Sequence, residues 1–91
     1  MIIEEIVDKL HELRREYCSN NSDYMTNPPK YVIYMGLDTY CEMKDEISNE
    51  NKGAHHENYI VEAYYNDTIF GFPIYRAVDH DHWEIYRKGA N

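Results

Sequence analysis

The chain is short and strongly acidic. It has 91 residues, of which 17 are acidic and 9 are basic, so that its formal net charge is -8. This length suffices for one small domain, and the negative charge disfavours direct binding to a nucleic-acid backbone. A hydrophobic fraction of 43% excludes a disordered acidic tail. The apolar runs are too short to cross a bilayer.

Residues 1–18 are predicted to form an amphipathic helix. Its apolar residues recur at intervals of three and four positions. They are Ile3, Ile6, Leu10, Leu13 and Tyr17. Two uses of this stripe remain open: packing against the chain's own sheet, and self-association in a homodimer.

A polar hinge loop is predicted at 19–30, because Pro28-Pro29 stops any helix. A short buried strand follows at 31–35. The second helix is predicted at 39–48, where Thr39 and Glu42 fit a capping box.

The C-terminal third is predicted to be sheet. Strands are expected at 58–65, 68–70, 74–78 and 83–87, with a hairpin turn at Asn66-Asp67. Gly71 is expected to interrupt the sheet and Pro73 to begin a strand. The predicted class is therefore α+β: an N-terminal helix, a short strand, a second short helix and a mostly antiparallel sheet of three to four strands. We expect one domain over 1–91, with its body at 31–88.

Two cysteines, Cys18 and Cys41, are too few for a disulfide framework and are expected to be buried. The N-terminus lacks the basic region and long apolar stretch of a signal peptide. A cytoplasmic location is the resulting expectation.

Histidines supply the weak candidates for a metal site. They are His55, His56, His80 and His82, whose spacing fits no compact zinc motif. A second alternative is a nucleotide ligand held by Arg76, Arg87 and Lys88, with Trp83 or Tyr86 stacking on its base. The chain has no G-x-S-x-G motif and no phosphate-binding glycine loop, so we predict neither an enzyme nor a cofactor.

The distribution of acidic residues is more informative, because it places the charge on folded structure and not on a tail. Ten tyrosines also exceed what a core of this size needs, and they suit either a binding surface or the outer face of a sheet. The predicted partner-binding residues are Glu42, Asp45, Glu46, Glu50, Glu57, Asp79 and Asp81, with Tyr64, Tyr75 and Trp83 as anchors.

The segment from Pro29 to Tyr40 looks like a pattern of short tailed-phage proteins: a proline, a hydrophobic strand and a small helix that opens with an acid, Thr and Tyr. The segment from Ile69 to Tyr75 resembles the Gly-aliphatic-Pro strand of phage major capsid domains. With Trp83-Glu84-Ile85, the resemblance covers residues 29–87. It implies a phage or prophage origin, as a virion accessory protein or an inhibitor of a host defence enzyme, and it brings no catalytic residues.

The resulting hypothesis is a non-enzymatic acidic protein that binds a basic protein partner, for example as a nucleic-acid mimic that inhibits a host nuclease. It would act in the host cytoplasm without binding membrane or nucleic acid. The alternatives are a virion assembly protein that acts by self-association, and a nucleotide- or metal-binding protein. The competing explanation of the acidity is that it keeps a small protein soluble.

Overall fold

The computed structural model describes residues 2–50, 58–78 and 82–88, and it confirms the α+β class. In chain order the elements are α1 (Ile2–Asn20), β1 (Lys30–Met35), α2 (Leu37–Glu50), α3 (Asn58–Asn66), β2 (Thr68–Ile69), β3 (Phe72–Arg76) and β4 (Trp83–Lys88). The four strands form one sheet in the order β2-β3-β1-β4. Within the described ranges, the helices lack the combination of length and hydropathy that a membrane-spanning helix needs.

Two of the three strand pairings are antiparallel, as the sequence predicted for most of the sheet. β4 runs antiparallel to β1, with Lys30 opposite Lys88 and Met35 opposite Trp83. β2 and β3 form an antiparallel hairpin. β1 and β3 are parallel, and helices α2 and α3 lie in the crossover between them, as a parallel connection requires.

The core lies between the helices and one face of the sheet. Alternate side chains of β1, those of Tyr31, Ile33 and Met35, belong to the core cluster, whereas Tyr34 points to the opposite face. The helices contribute the fully buried side chains Ile3, Ile6, Leu10, Met43 and Ile47 to the same cluster.

The apolar stripe of α1 is used within the chain. Ile3, Ile6 and Leu10 are 0% exposed. Leu13 is half-buried against the core, and the half-buried Tyr17 donates its hydroxyl hydrogen to the carbonyl of Asn27 (2.9 Å). The structure therefore shows the first predicted use of the stripe, packing within the chain, and self-association through it stays a prediction.

The second helix begins earlier than predicted, so the proposed capping box is wrong. The backbone N–H of Tyr40 donates to the carbonyl of Gly36 (2.9 Å), which places Thr39 inside the first turn. The N–H of Gly36 itself donates to the carbonyl of His82 (3.0 Å), so the start of α2 is tied to the start of β4.

The predicted strand at 58–65 is wrong, because this segment lies in helix α3. Ile60 and Ala63, three residues apart, are buried on one side of the helix. Tyr65 lies on the side that faces solvent and is 69% exposed. The hairpin turn is correspondingly displaced from Asn66-Asp67 to Phe70-Gly71. Both turn residues have positive φ, 53° and 81°, as a type I′ turn requires.

Smaller differences concern the edges of elements. α1 extends to Asn20, two residues beyond its predicted end, and β3 begins at Phe72, with Pro73 as its second residue. Cys18 is half-buried, but Cys41 is exposed, contrary to the expectation that both are buried. Cys41 lies on α2 away from the buried positions Met43 and Ile47, so helix geometry points it outward.

Candidate interaction surfaces

A regular row of carboxylates runs along the exposed side of α1. Its members are Glu4, Asp8, Glu12 and Glu16, which are all exposed and lie four residues apart. An α-helix rises about 6 Å over four residues, so the row is roughly 18 Å long and slants around the helix. The buried stripe on the other side of α1 fixes the helix to the core. We name these four residues the acidic row.

Helix α2 extends the negative charge beside α1. Asp38, Glu42 and Asp45 are exposed. The half-buried Glu46 instead accepts a hydrogen bond from the backbone N–H of Ile2 (2.8 Å), a donor that the first turn of α1 leaves without a helical partner. Together α1 and α2 contain ten acidic and four basic residues, so their outer side is a negative surface, which we call the acidic layer.

Lys44 is the one basic residue of α2, and it is directed toward α3. Its ammonium donates to the carbonyls of Ala63 (2.9 Å) and Tyr64 (2.8 Å), and it lies 2.9 Å from Oδ1 of Asp67. The hydroxyl of Tyr40 donates to the same oxygen (2.8 Å). The ammonium therefore satisfies the last carbonyls of α3 and does not neutralise the acidic layer.

The contacts around Asp67 change the pKa values of two side chains, Asp67 and Tyr40. Burial opposes ionisation of Asp67, but hydrogen bonds from Lys44 and Tyr40 outweigh it, and the pKa of this carboxyl is lowered. Burial, together with the hydrogen bond to Asp67, raises the pKa of the Tyr40 phenol. The guanidinium of Arg76 lies 5.1 Å from the centre of the Tyr40 ring and adds a further positive charge. We interpret this cluster as structural, because it joins α2, α3 and β3.

The other face of the sheet carries tyrosines. The ring of Tyr34 lies 5.7 Å from that of Tyr75 on β3 and 5.5 Å from that of Tyr86 on β4. Tyr75 and Tyr86 are about half exposed, at 48% and 49%. The hydroxyl of Tyr86 donates to Glu84, which raises the pKa of the phenol. An open depression of about 750 Å³ is lined by these rings and by Val32, Arg87 and Lys88. The four strands together contain four basic residues and one acidic residue, so this layer of the molecule is not acidic.

The structure divides the predicted partner-binding residues between surfaces. Glu42 and Asp45 are exposed on α2. The exposed Tyr64 lies on α3, with its ring centre 5.7 Å from the ammonium of Lys44 and 4.8 Å from the ring centre of Tyr65. Glu46 is engaged with Ile2. The side chain of Glu50 and all of Glu57, Asp79 and Asp81 lie outside the described part.

Two predicted anchors do not join the acidic layer. Tyr75 lies on the opposite face of the sheet from α2, in the tyrosine row described above. Trp83 is half-buried and packs against the core. The structure therefore does not bring these two residues together with the acidic layer, because the alternation of strand residues sends Tyr75 outward and Trp83 inward.

Of the four predicted metal-ligand candidates, the described part of the chain includes His82. His55, His56 and His80 lie outside the described part, and His82 is exposed with Nε2 3.6 Å from Glu84 Oε1. Within the described ranges no three His, Cys, Asp or Glu side chains are grouped as a metal site would need.

The fold brings only some residues of the predicted nucleotide site together. Arg76 packs over Tyr40, and Arg87 packs over the ring of Tyr17 at 5.5 Å. Arg87 and Lys88 both line the depression on the open face together with Tyr86, whereas Arg76 is not among its lining residues.

The acidic row was not predicted from the sequence, although acidic residues four positions apart on a predicted helix indicate it. The grouping of Tyr34, Tyr75 and Tyr86 was not predicted either, because it depends on the order of the strands. Comparison with protein-family models, curated proteins and solved structures finds no match to this chain. The resemblance to phage proteins therefore stays a prediction.

Proposed function

We propose that this protein is a non-enzymatic interaction protein whose acidic layer binds a basic protein surface, in the manner of a nucleic-acid mimic. The acidic row of α1 is the observation that carries the proposal. It presents four carboxylates at a constant interval on a helix that the core holds in place. A basic groove that binds successive phosphates offers matching positive charge.

The regular spacing argues against the competing explanation, that the acids only provide solubility. Like charges four residues apart on a helix destabilise it by about 0.2–0.5 kcal/mol per pair, and the acidic row contains three such pairs. Solubility requires net charge, but it does not require this costly arrangement. Lys9 offsets part of the repulsion through its contact with Glu12 (3.6 Å), and this pair is about half exposed.

Aromatic anchors for such a complex lie next to the acidic layer. Tyr64 and Tyr65 form an edge-to-face pair at the end of α3, and Lys44 connects the backbone of this end to α2. Exposed tyrosines beside charged groups are typical of the energetically dominant positions in protein interfaces. The partner class that fits is a nucleic-acid-binding protein, and a host defence nuclease is the member that a phage origin would suggest.

The experiment measures inhibition of DNA cleavage by a panel of nucleases with basic substrate grooves, together with dissociation constants across a salt series. The informative variant is Asp8→Lys combined with Lys9→Asp, because it conserves net charge and composition but breaks the acidic row. We expect its affinity to fall by at least roughly 2–5-fold. The removal of one charge by Asp8→Asn should act in the same direction.

Asp23→Asn is the matched control, since it makes the same chemical change in an exposed loop outside the acidic layer. Its affinity should remain close to that of the unmodified protein. Equal binding by the exchanged variant and the unmodified protein would show that only net charge matters. Affinity that does not weaken with added salt would also contradict the proposal.

A further inference from the structure

Strand β4 leaves one edge of the sheet open. It is the outermost strand in the order β2-β3-β1-β4, and no strand of the described ranges pairs with its other side. It has six residues, whereas β2 at the opposite edge has two. Unpaired backbone N–H and C=O groups along such an edge are a template for another strand.

One hydrogen bond determines which backbone groups face outward. The N–H of Gly36, the residue that follows β1, donates to the carbonyl of His82. The backbone carbonyl of His82 therefore points toward β1 and away from the free edge. The direction of the backbone N–H and C=O groups alternates from one residue to the next along an antiparallel strand. The backbone groups of Glu84, Tyr86 and Lys88 therefore face β1 and can hydrogen-bond to it. The N–H and C=O groups of Ile85 and Arg87 are then directed to the free edge.

We propose that β4 pairs antiparallel with β4 of a second copy of this chain, which joins two four-stranded sheets across a two-fold axis. Residues that face each other in such a pair lie on the same side of the sheet, so the sum of their numbers is even. Pairing centred on Tyr86 places it opposite its own equivalent. It also places Glu84 opposite Lys88 of the second copy, at two symmetric positions.

Charge complementarity selects this register and this occupant. Within one copy Lys88 stands directly opposite Lys30, a destabilising like-charge pair. In the proposed dimer Glu84 of the second copy approaches Lys88 from its other side. A register centred on Ile85 would instead place Lys88 opposite His82 and Glu84 opposite Tyr86, without a carboxylate for the lysine.

The backbone geometry agrees with the Tyr86-centred register. Ile85 of one copy faces Arg87 of the other, and these are the residues whose N–H and C=O groups point outward, so four hydrogen bonds can form between them. Tyr86 and Glu84 then occupy non-hydrogen-bonded pairs, in which Cα atoms approach to about 4.5 Å and side chains are closest. The rows formed by Tyr75, Tyr34 and Tyr86 would meet at the axis.

Sedimentation equilibrium of the full chain over a range of concentrations tests the proposal. The unmodified protein should form a dimer. Glu84→Lys and Lys88→Glu should each weaken dimerisation by about tenfold or more, since each places like charges opposite each other at two positions. The double variant should recover the original dissociation constant to within about threefold.

Mixing the two single variants provides a test that misfolding cannot imitate. One copy then presents two lysines and the other two glutamates, so an equimolar mixture should form a heterodimer although each variant alone is largely monomeric. Lys9→Glu and Glu12→Lys make the same charge changes at an exposed pair on α1 and should not alter dimerisation. A protein that stays monomeric, or a dimer that neither variant of β4 weakens, overturns the proposal.

Discussion

Replacement of Lys44 by methionine should lower the free energy of unfolding more than the replacement of an exposed lysine usually does. The change removes the ammonium that donates to the carbonyls of Ala63 and Tyr64 and contacts Asp67, at 2.8–2.9 Å in each case. The side chain is only 25% exposed, so water replaces these contacts poorly. Hydrogen bonds to charged groups contribute about 1.5–3 kcal/mol each, but these three share one ammonium. We therefore expect the free energy of unfolding to fall by about 2–3 kcal/mol.

In a domain of this size that loss corresponds to a melting temperature lower by roughly 10–20 °C. Circular dichroism at 222 nm during heating and urea unfolding provide the two measurements. Lys9→Met is the matched control, because the exposed pair of Lys9 and Glu12 contributes at most about 0.5 kcal/mol. Equal stability of the two variants would refute the argument that Lys44 joins α2 to the end of α3.

Three further outcomes test other parts of the fold. The pKa of Asp67 is lowered in the folded state, so its contribution to stability is complete above the unfolded pKa of about 3.9 and is lost as the pH falls through the lower folded pKa. Asp67→Asn should therefore reduce the loss of stability over this acidic range, as measured by urea unfolding at a series of pH values. Gly71→Ala should cost about 1–2 kcal/mol by thermal unfolding, since its φ of +81° strains any other residue, although a Cβ there would meet no atom within 4 Å. Ile33→Ala, at a position 0% exposed, should cost about 2–5 kcal/mol in the same assay, and a smaller loss would show that β1 is not central to the core.

The elements that the sequence predicted well are those whose burial follows a simple period. The spacing of Ile3, Ile6 and Leu10 identified α1, and these residues are fully buried. The segment of α3 was predicted as a strand because Tyr, Val and Ile favour strands. Ala63 was not counted among its core residues in that prediction. Once Ala63 is counted as buried with Ile60, the spacing becomes three and indicates a helix.

The order of the strands was beyond local reasoning. Nothing near β1 in the sequence states that β3 and β4 become its two neighbours, because those pairings join residues more than forty positions apart. The tyrosine row on the open face follows from that order and was missed with it. By contrast, the acidic row depends only on the spacing within α1, so the sequence alone would have sufficed to predict it.

The two proposed surfaces are physically linked. A sheet that continues through β4 keeps the same side facing the helices in both copies, so the acidic layers of the two copies would lie on one side of the dimer. Such a dimer offers a wider negative surface, and two layers that engage one extended basic groove bind more tightly than one, without any new type of contact. Glu84→Lys should then weaken binding to a basic partner at concentrations where the unmodified protein is dimeric. The mixture with Lys88→Glu should restore it, whereas recovery of the dimer without recovery of binding would show that the two surfaces act independently.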